Sequence, residues 1–246
     1  MKKLQKLDFS NKKDIFLFLD FDGTLSRIVS HPQDAIIKPE AKKWLKALLK
    51  KRHIKIAIVT GRSLSDICHR LKLGGLYYIA NHGMEIFYKR RFLLKRGRQF
   101  EKPLNSFGDE AISTLAHIPG IFIEEKGLSV AVHFRRVERK YHRIVKNIVH
   151  EIASPFVKKH NLQLTKGKML LELRPAHFWD KGEAVKWLLK RTAPRHFPIY
   201  IGDDITDEDA FRVLKTHGVT IRVGRKTGSH AQYYISSIKN IIESIQ

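Results

Sequence analysis

Three short runs are apolar almost without interruption: residues 15–19 (Ile-Phe-Leu-Phe-Leu), 54–59 (Ile-Lys-Ile-Ala-Ile-Val) and 198–201 (Pro-Ile-Tyr-Ile). Each is far shorter than the roughly 20 residues of a membrane span. None shows the polar alternation of a strand with one wet face. Such runs are strands buried on both faces, which requires helices on both sides of a largely parallel sheet. The segments between them supply the helices. In residues 40–52, Trp44, Leu45, Leu48 and Leu49 share one helical face, with Lys42, Lys46 and Lys50 opposite. Ser63 and Asp66 form a capping box that opens a helix toward Leu73, and residues 76–80 form another strand. Residues 84–94 suggest a hairpin with a basic tip.

The middle of the chain has a different rhythm. Residues 105–117 and 138–153 are expected helices, and residues 121–125, 128–134, 162–165 and 169–174 expected strands joined by tight turns. Strands mixed with helices in this way indicate an α+β unit. After Pro175 the first pattern resumes, with helices over 181–191 and 206–216 and strands over 198–201 and 219–223. The expected fold class is therefore α/β, a Rossmann-like parallel-sheet core with an inserted α+β cap domain. Its boundaries are 1–103 (first part of the core), 104–175 (inserted unit) and 176–246 (second part of the core). Trp44 and Trp187 lie on apolar helix faces and are expected in the core.

Composition narrows the function classes. A hydrophobic content of 43% excludes a disordered chain. One cysteine, Cys68, excludes an internal disulfide framework. The basic start, Met1-Lys2-Lys3, lacks the apolar run of a signal peptide, because the run at 15–19 stops at Asp20. A cytoplasmic protein without a membrane partner, and a monomer, is the expectation. Lys and Arg number 47 against 24 Asp and Glu, a net charge of +23. That balance invites a nucleic-acid reading. The basic residues are scattered along the chain, however, and no zinc-finger or RNP-like segment accompanies them, so attraction of a phosphorylated small molecule is the favoured use of the charge.

Carboxylates at strand ends carry the chemistry. Asp20-Phe-Asp22-Gly23-Thr24 follows the first buried strand. Residues two apart in an extended segment point the same way, so Asp20 and Asp22 can converge. A second acidic cluster, Gly202-Asp203-Asp204-Ile-Thr206-Asp207-Glu208-Asp209, follows the strand at 198–201. Thr206 with Asp209 fits a capping box, whereas Asp203 and Asp204 precede the helix and need another reason. Two acidic strand ends on one sheet repel unless a cation lies between them, and Mg²⁺ suits few carboxylates plus a phosphate. Thr60-Gly-Arg62 ends the second strand, and Asp180-Lys181-Gly182 opens the helix after the insertion.

These four elements, in this order, resemble the motifs of the haloacid dehalogenase-like phosphohydrolase superfamily. Asp20/Asp22, Thr60, Lys181 and Asp203 match its four motifs. Further matches extend the likeness: the Asp20-Phe-Asp-Gly-Thr-Leu run with Pro32, Thr60-Gly-Arg-Ser, Asn81-His82-Gly83-Met-Glu85, Glu172-Leu-Arg-Pro, Trp179-Asp-Lys-Gly and Gly202-Asp-Asp-Ile-Thr-Asp-Glu. Together they are similar to the trehalose-6-phosphate phosphatase family, over about residues 15–224. The +23 charge and residues 1–13 lie outside what the likeness explains.

The resemblance implies hydrolysis of a sugar phosphate through an aspartyl-phosphate. Asp20 would be the nucleophile and Asp22 the general acid and base, with Lys181 and Thr60 completing the catalytic set. The metal set would be Asp20, Asp203 and the backbone carbonyl of Asp22, with Asp204 and Asp207 behind it. Asp207 could equally be a helix-start residue. Sugar recognition is expected from Lys126, His133, Arg135 and Glu172 of the insertion, with Arg62, His82 and Gly83 on the core. His133 and Arg135, two apart, should share one sheet face. Two rival readings remain: a capped phosphatase for another sugar phosphate, and a basic binding protein that keeps the fold without activity.

Overall fold

The computed structural model describes residues 1–4, 14–29, 31–176 and 179–242. The basic N-terminal residues 5–13, which no motif explained, lie outside them. The chain forms two compact units, Met1–Lys95 with Trp179–Gln246, and Arg96–Phe178. The second unit starts eight residues before and ends three residues after the insertion expected over 104–175.

The first unit begins with β1 (Lys2–Lys3), β2 (Ile15–Asp20), α1 (Pro39–Leu48), β3 (Ile54–Val59), α2 (Leu64–Leu71) and β4 (Tyr77–Ala80). A hairpin follows, β5 (Glu85–Tyr88) and β6 (Arg91–Lys95). The second unit holds α3 (Arg98–Leu115), β7 (Phe122–Glu125), β8 (Val130–His133), α4 (His142–His160), β9 (Leu162–Gly167) and β10 (Leu170–Pro175). The chain then returns to the first unit with α5 (Lys181–Thr192), β11 (Phe197–Gly202), α6 (Glu208–Leu214), β12 (Val219–Val223), β13 (Tyr233–Ile235) and α7 (Lys239–Ile242).

The sheet of the first unit has the order β1-β13-β12-β11-β2-β3-β4-β5-β6. It is parallel except for the pairs β4/β5 and β5/β6. Its two faces explain the unbroken apolar runs. Leu17, Leu19, Ile56 and Ile58 pack on one side with Trp44, Leu45 and Ile67. Phe16, Phe18, Ala57 and Val59 pack on the other with Val185, Leu188 and Phe211, and Trp187 lies partly buried against them. Each fully buried side chain of this size contributes about 1.5–3 kcal/mol. The carboxylate-bearing ends of β2 and β11 are adjacent, because these strands pair in register from Ile15↔Phe197 to Leu19↔Ile201. Ligands of open α/β sheets bind beyond such strand ends.

The second unit is an antiparallel sheet, β7-β8-β10-β9, with helices on one face. Val130, Val132, Leu171 and Leu173 pack there with Phe107, Ala111, Val145 and Val149. The alternate residues, Ala131, His133 and Glu172, therefore share the opposite face.

Several elements differ from the sequence expectation. Helix α3 starts at Arg98 and runs through Pro103, and α4 continues through Pro155 to His160. Proline removes one helical hydrogen bond, and the buried faces of both helices outweigh that loss. The helix expected over 206–216 does not start on a Thr206–Asp209 box. Asp204 and Asp207 form the capping box over a short turn, Ile205–Asp207, and α6 follows. Asp204 is thus explained by the helix start. The edge elements β1, β13 and α7 had no counterpart in the sequence reading.

Candidate active site

Asp20 ends β2 and is buried. Its Oδ1 accepts a hydrogen bond from Lys181 Nζ at 2.9 Å, whereas its Oδ2 is buried with no hydrogen-bond partner. Lys181 reaches the site because Asp180 caps α5, its carboxylate accepting from the Glu183 amide. Burial pushes the Asp20 carboxyl well above the usual range; Lys181 opposes this, and Asp207, Asp203 and Asp22 add to it. Burial disfavours the Lys181 ammonium, but Asp20 and Asp207 outweigh it and hold the group charged.

Asp203 stands beyond β11 and accepts from Thr24 Oγ1 at 3.1 Å. Burial, with Asp207 beside it, pushes its carboxyl up to about 6. The loop Phe21–Leu25 passes so close that a Cβ on Gly23, at φ +88°, would lie 2.1 Å from Asp203 Oδ2. Only glycine fits that backbone and that approach.

Asp207 organises the site from beneath. Its Oδ1 accepts from Lys181 Nζ (2.7 Å) and the Tyr200 hydroxyl (2.8 Å). Its Oδ2 accepts from the backbone amides of Asp203 (3.0 Å) and Asp204 (2.9 Å). A Cβ on Gly202 would lie 2.4 Å from that carboxylate. This geometry makes Asp207 a helix-start residue, and the same carboxylate also fixes Asp203 and Lys181.

Arg222, on β12, has a role that sequence reasoning missed. Its buried guanidinium donates to the carbonyls of Asp203 and Asp204 and to Glu208 Oε1, clamping the acidic loop. A single charge within Val-Thr-Ile-Arg-Val was the available signal, but its partners are backbone carbonyls with no sequence signature.

Arg62, expected to face substrate, is engaged elsewhere. Nε and Nη2 donate to the two oxygens of Asp22, each at 2.7 Å, and Nη1 donates to Asp66 at 2.7 Å. Arg70 also holds Asp66 and reaches the carbonyls of Gln33 and Ala35. Burial opposes ionisation of Asp66, but Arg70 and Arg62 keep its carboxyl below the usual range. Thr60 is buried; its hydroxyl accepts from the Arg62 amide at 3.1 Å, leaving its O–H as a donor. The Asn81–Gly83 turn is anchored by Asn81 Nδ2 on Glu85 (2.8 Å), and the His82 ring lies over Gly61.

One oxygen from each of Asp20, Asp203 and Asp207 lies within 4.8 Å of the others. Asp207 already accepts four hydrogen bonds. Asp20 keeps an orphaned buried oxygen, and burial lifts both Asp20 and Asp203, as expected of crowded anions short of positive charge. Hard oxygen donors in this state fit a hard divalent cation.

The insertion carries its own polar cluster. Glu172 Oε1 accepts from Lys126 Nζ (3.0 Å) and Ser129 Oγ (2.8 Å), and Glu124 meets His133 Nε2 at 3.0 Å. Lys126 Nζ also lies 3.7 Å from Glu124 Oε2, so Lys126, His133 and Glu172 belong to one connected group with Ser129 and Glu124. Arg135 lies past the end of β8, with its guanidinium on the carbonyl of Lys168. Strand alternation, the ground for placing Arg135 on one face with His133, does not extend to Arg135, because β8 ends at His133.

A family model for trehalose-phosphatase matches residues 18–239. The chain belongs to the trehalose-phosphatase family. It is 36% identical over 223 residues to a probable trehalose-phosphate phosphatase D of Arabidopsis thaliana, covering 85% of this chain and 59% of that protein. It is also 36% identical over 223 residues to a trehalose-phosphate phosphatase of Mycobacterium bovis, covering 84% of this chain and 53% of that protein. The chain thus spans little more than half the length of these curated relatives. The crystal structure of a trehalose-6-phosphate phosphatase related protein superposes with a TM-score of 0.79 at 27% identity, covering 93% of this chain and 94% of that one. The C-terminal domain of a Candida albicans trehalose-6-phosphate phosphatase shares the fold, with a TM-score of 0.79 at 21% identity over 96% of this chain and 92% of that one. Membership in this family accounts for the strand-end carboxylates and the inserted α/β unit together. Among the described residues, no helix is long and apolar enough to cross a membrane.

Proposed function

We propose that this chain hydrolyses trehalose 6-phosphate to trehalose and phosphate. The observation that carries the reading is Asp20: a buried carboxylate with one oxygen held by Lys181 and the other unpartnered, at a strand end facing Asp203. The unpartnered oxygen is the attacking atom, and its attack on phosphorus displaces the sugar oxygen to leave an aspartyl-phosphate. Lys181 orients Asp20 and offsets phosphoryl charge; Thr60 donates its O–H to a phosphoryl oxygen. Asp22 gives a proton to the leaving oxygen and then takes one from the water that opens the intermediate. Both oxygens of Asp22 accept from Arg62, so Asp22 reaches the leaving oxygen by turning away from Arg62. Its partly exposed side chain leaves room for that rotation.

Asp20, Asp203 and the Asp22 carbonyl would hold Mg²⁺, which supplies charge neutralisation for the phosphoryl group. Asp204 and Asp207 support that set without joining it. Groups that orient a ligating side chain are worth about 10–100-fold in metal affinity. Arg222→Met should therefore weaken Mg²⁺ binding about tenfold in calorimetric titration, with the loop carbonyls of Asp203 and Asp204 released. An unchanged Mg²⁺ affinity would contradict the clamp.

Sugar selection is assigned to the insertion, where Glu172, Lys126 and His133 offer acceptors and donors to hydroxyl groups. Arg135, Arg62, His82 and Gly83 are secondary candidates. The test is phosphate release from a panel of sugar phosphates with and without Mg²⁺. Trehalose 6-phosphate should be preferred over sucrose 6-phosphate, mannosylglycerate phosphate and glucose 6-phosphate. Glu172→Ala should lower kcat/KM for trehalose 6-phosphate by on the order of 10²-fold, about 3 kcal/mol of lost hydrogen bonding, and barely affect p-nitrophenyl phosphate. Equal losses on both substrates would make Glu172 structural, and a different preferred sugar would overturn the substrate while keeping the chemistry.

A further inference from the structure

The basic residues are scattered in sequence, but the topology gathers many of them. In a parallel sheet every incoming connection reaches the same end, so the segments before β3, β11 and β12 meet at the end away from Asp20 and Asp203. The β5/β6 turn joins them, since Tyr78 pairs with Phe87 and the chain reverses after Tyr88. These segments expose Lys50, Arg52, Lys89, Arg90, Arg195 and Lys215. Asp14 is the one carboxylate among the described residues of the connections entering this end of the sheet. None of the six cations is in an ion pair among the described residues.

Ordinary explanations account for part of this row. Helices α1, α5 and α6 end here, and cations near helix C-termini are favoured by the dipole. That covers Lys50 and Lys215. It does not cover Arg52 and Arg195, which lie beyond the last turns, or the hairpin tip. At the tip Lys89 and Arg90 both have positive φ, 47° and 64°. Two-residue turns of this kind strongly prefer Asn-Gly, which tolerates the left-handed region. Here two long cations occupy it. Steering of an anionic substrate does not explain the row either, because it lies at the wrong end of the sheet for the candidate active site.

We propose that this end of the sheet binds the phosphate backbone of a nucleic-acid duplex. Strands lie about 4.8 Å apart, so the row from β12 to β5 spans about 24 Å. That matches about seven base pairs at 3.4 Å per step, each step carrying two phosphates. A row of long Lys and Arg side chains outside ion pairs, with Lys89 over the Tyr88 ring, suits contact with phosphates without base reading. No large apolar side chain is exposed in these connections among the described residues, which disfavours insertion into lipid.

The test is fluorescence anisotropy with a 16-base-pair duplex of mixed sequence, titrated with the whole chain at several salt concentrations. The expected result is micromolar binding at 150 mM salt. The variant Lys50→Gln/Arg52→Gln/Lys89→Gln/Arg90→Gln should bind at least 30-fold more weakly, with the log–log salt slope reduced by about 3 to 4. Its melting temperature and its kcat for phosphate release should be unchanged. The control Lys102→Gln/Arg143→Gln/Lys158→Gln/Lys159→Gln removes the same charge from the helices of the insertion and should lose less than threefold. Equal losses in the two variants would show that only net charge matters and overturn the proposal. Failure of the unmutated chain to bind at 100 µM would also overturn it. Binding to vesicles containing 30% phosphatidylserine, without binding to duplex, would assign the row to a membrane surface and reject the nucleic acid.

Discussion

Asp20→Asn should abolish phosphate release, by at least about 10⁴-fold in kcat, while the protein melts at the same temperature or higher. The first half follows from chemistry: an amide cannot form the phosphoenzyme, and losing a nucleophile typically costs orders of magnitude. The second half follows from burial. An acid whose folded pKa lies above its unfolded value lowers stability once pH exceeds the unfolded value, because folding must then protonate it or bury its charge. The Asp20 carboxyl is raised in this way, by burial first and by Asp207, Asp203 and Asp22 in addition. Asparagine keeps the shape, can still accept from Lys181, and removes one anion from the cluster. The measurements are phosphate release with Mg²⁺ and thermal melting in EDTA. Substantial residual turnover would reject Asp20 as the nucleophile. A large loss of melting temperature in EDTA would show that the Asp20–Lys181 pair is structural instead.

The catalytic half of this picture was legible in the sequence for a physical reason. A lone Asp-x-Asp pair at a strand end is usually a turn or helix cap, but a second acidic cluster follows an equivalent strand, and Asp20 and Asp203 occupy these positions on neighbouring strands. Lys181 was readable only through the family likeness, since 161 residues separate it from Asp20 in the chain. Arg222 was not readable, because it acts on backbone carbonyls contributed by a loop rather than on a complementary side chain. The partners of Arg62 were not readable either: its guanidinium holds Asp22 and Asp66, and nothing in the sequence pairs these three residues. The first turns of α3, before Asn105, and the last turns of α4, after Ala153, were not read because proline is a local signal of termination, whereas the burial that carries α3 through Pro103, of Phe100 and Leu104, is a tertiary one. The basic row shows the same limit from the other side. Residues from Lys50 to Lys215 become neighbours only when the strand order is known.

Asp207→Ala should have the opposite effect on stability from Asp20→Asn, although both remove a carboxylate from one cluster. Asp207 is fully buried, and each of its oxygens accepts two hydrogen bonds: Lys181 and Tyr200 on one, the amides of Asp203 and Asp204 on the other. Deleting it leaves a buried ammonium with Asp20 alone, a buried phenol without an acceptor, and two loop amides unpaired. Removing one partner of a buried pair costs about 3–5 kcal/mol. For a chain of this size that is a fall of about 10 °C in melting temperature. Asp207→Asn should recover only part of it, since an amide nitrogen cannot accept from the donors that its oxygen does not face. Melting in EDTA separates the two possible roles. If Asp207 were chiefly a metal ligand, its removal without cation would relieve repulsion and raise the melting temperature, as expected for Asp20→Asn. A rise, or no change, in EDTA would therefore move Asp207 into the metal shell. A fall in EDTA, with Mg²⁺ affinity reduced as well, is the result expected of a residue that holds Asp203 and Lys181 in place from below.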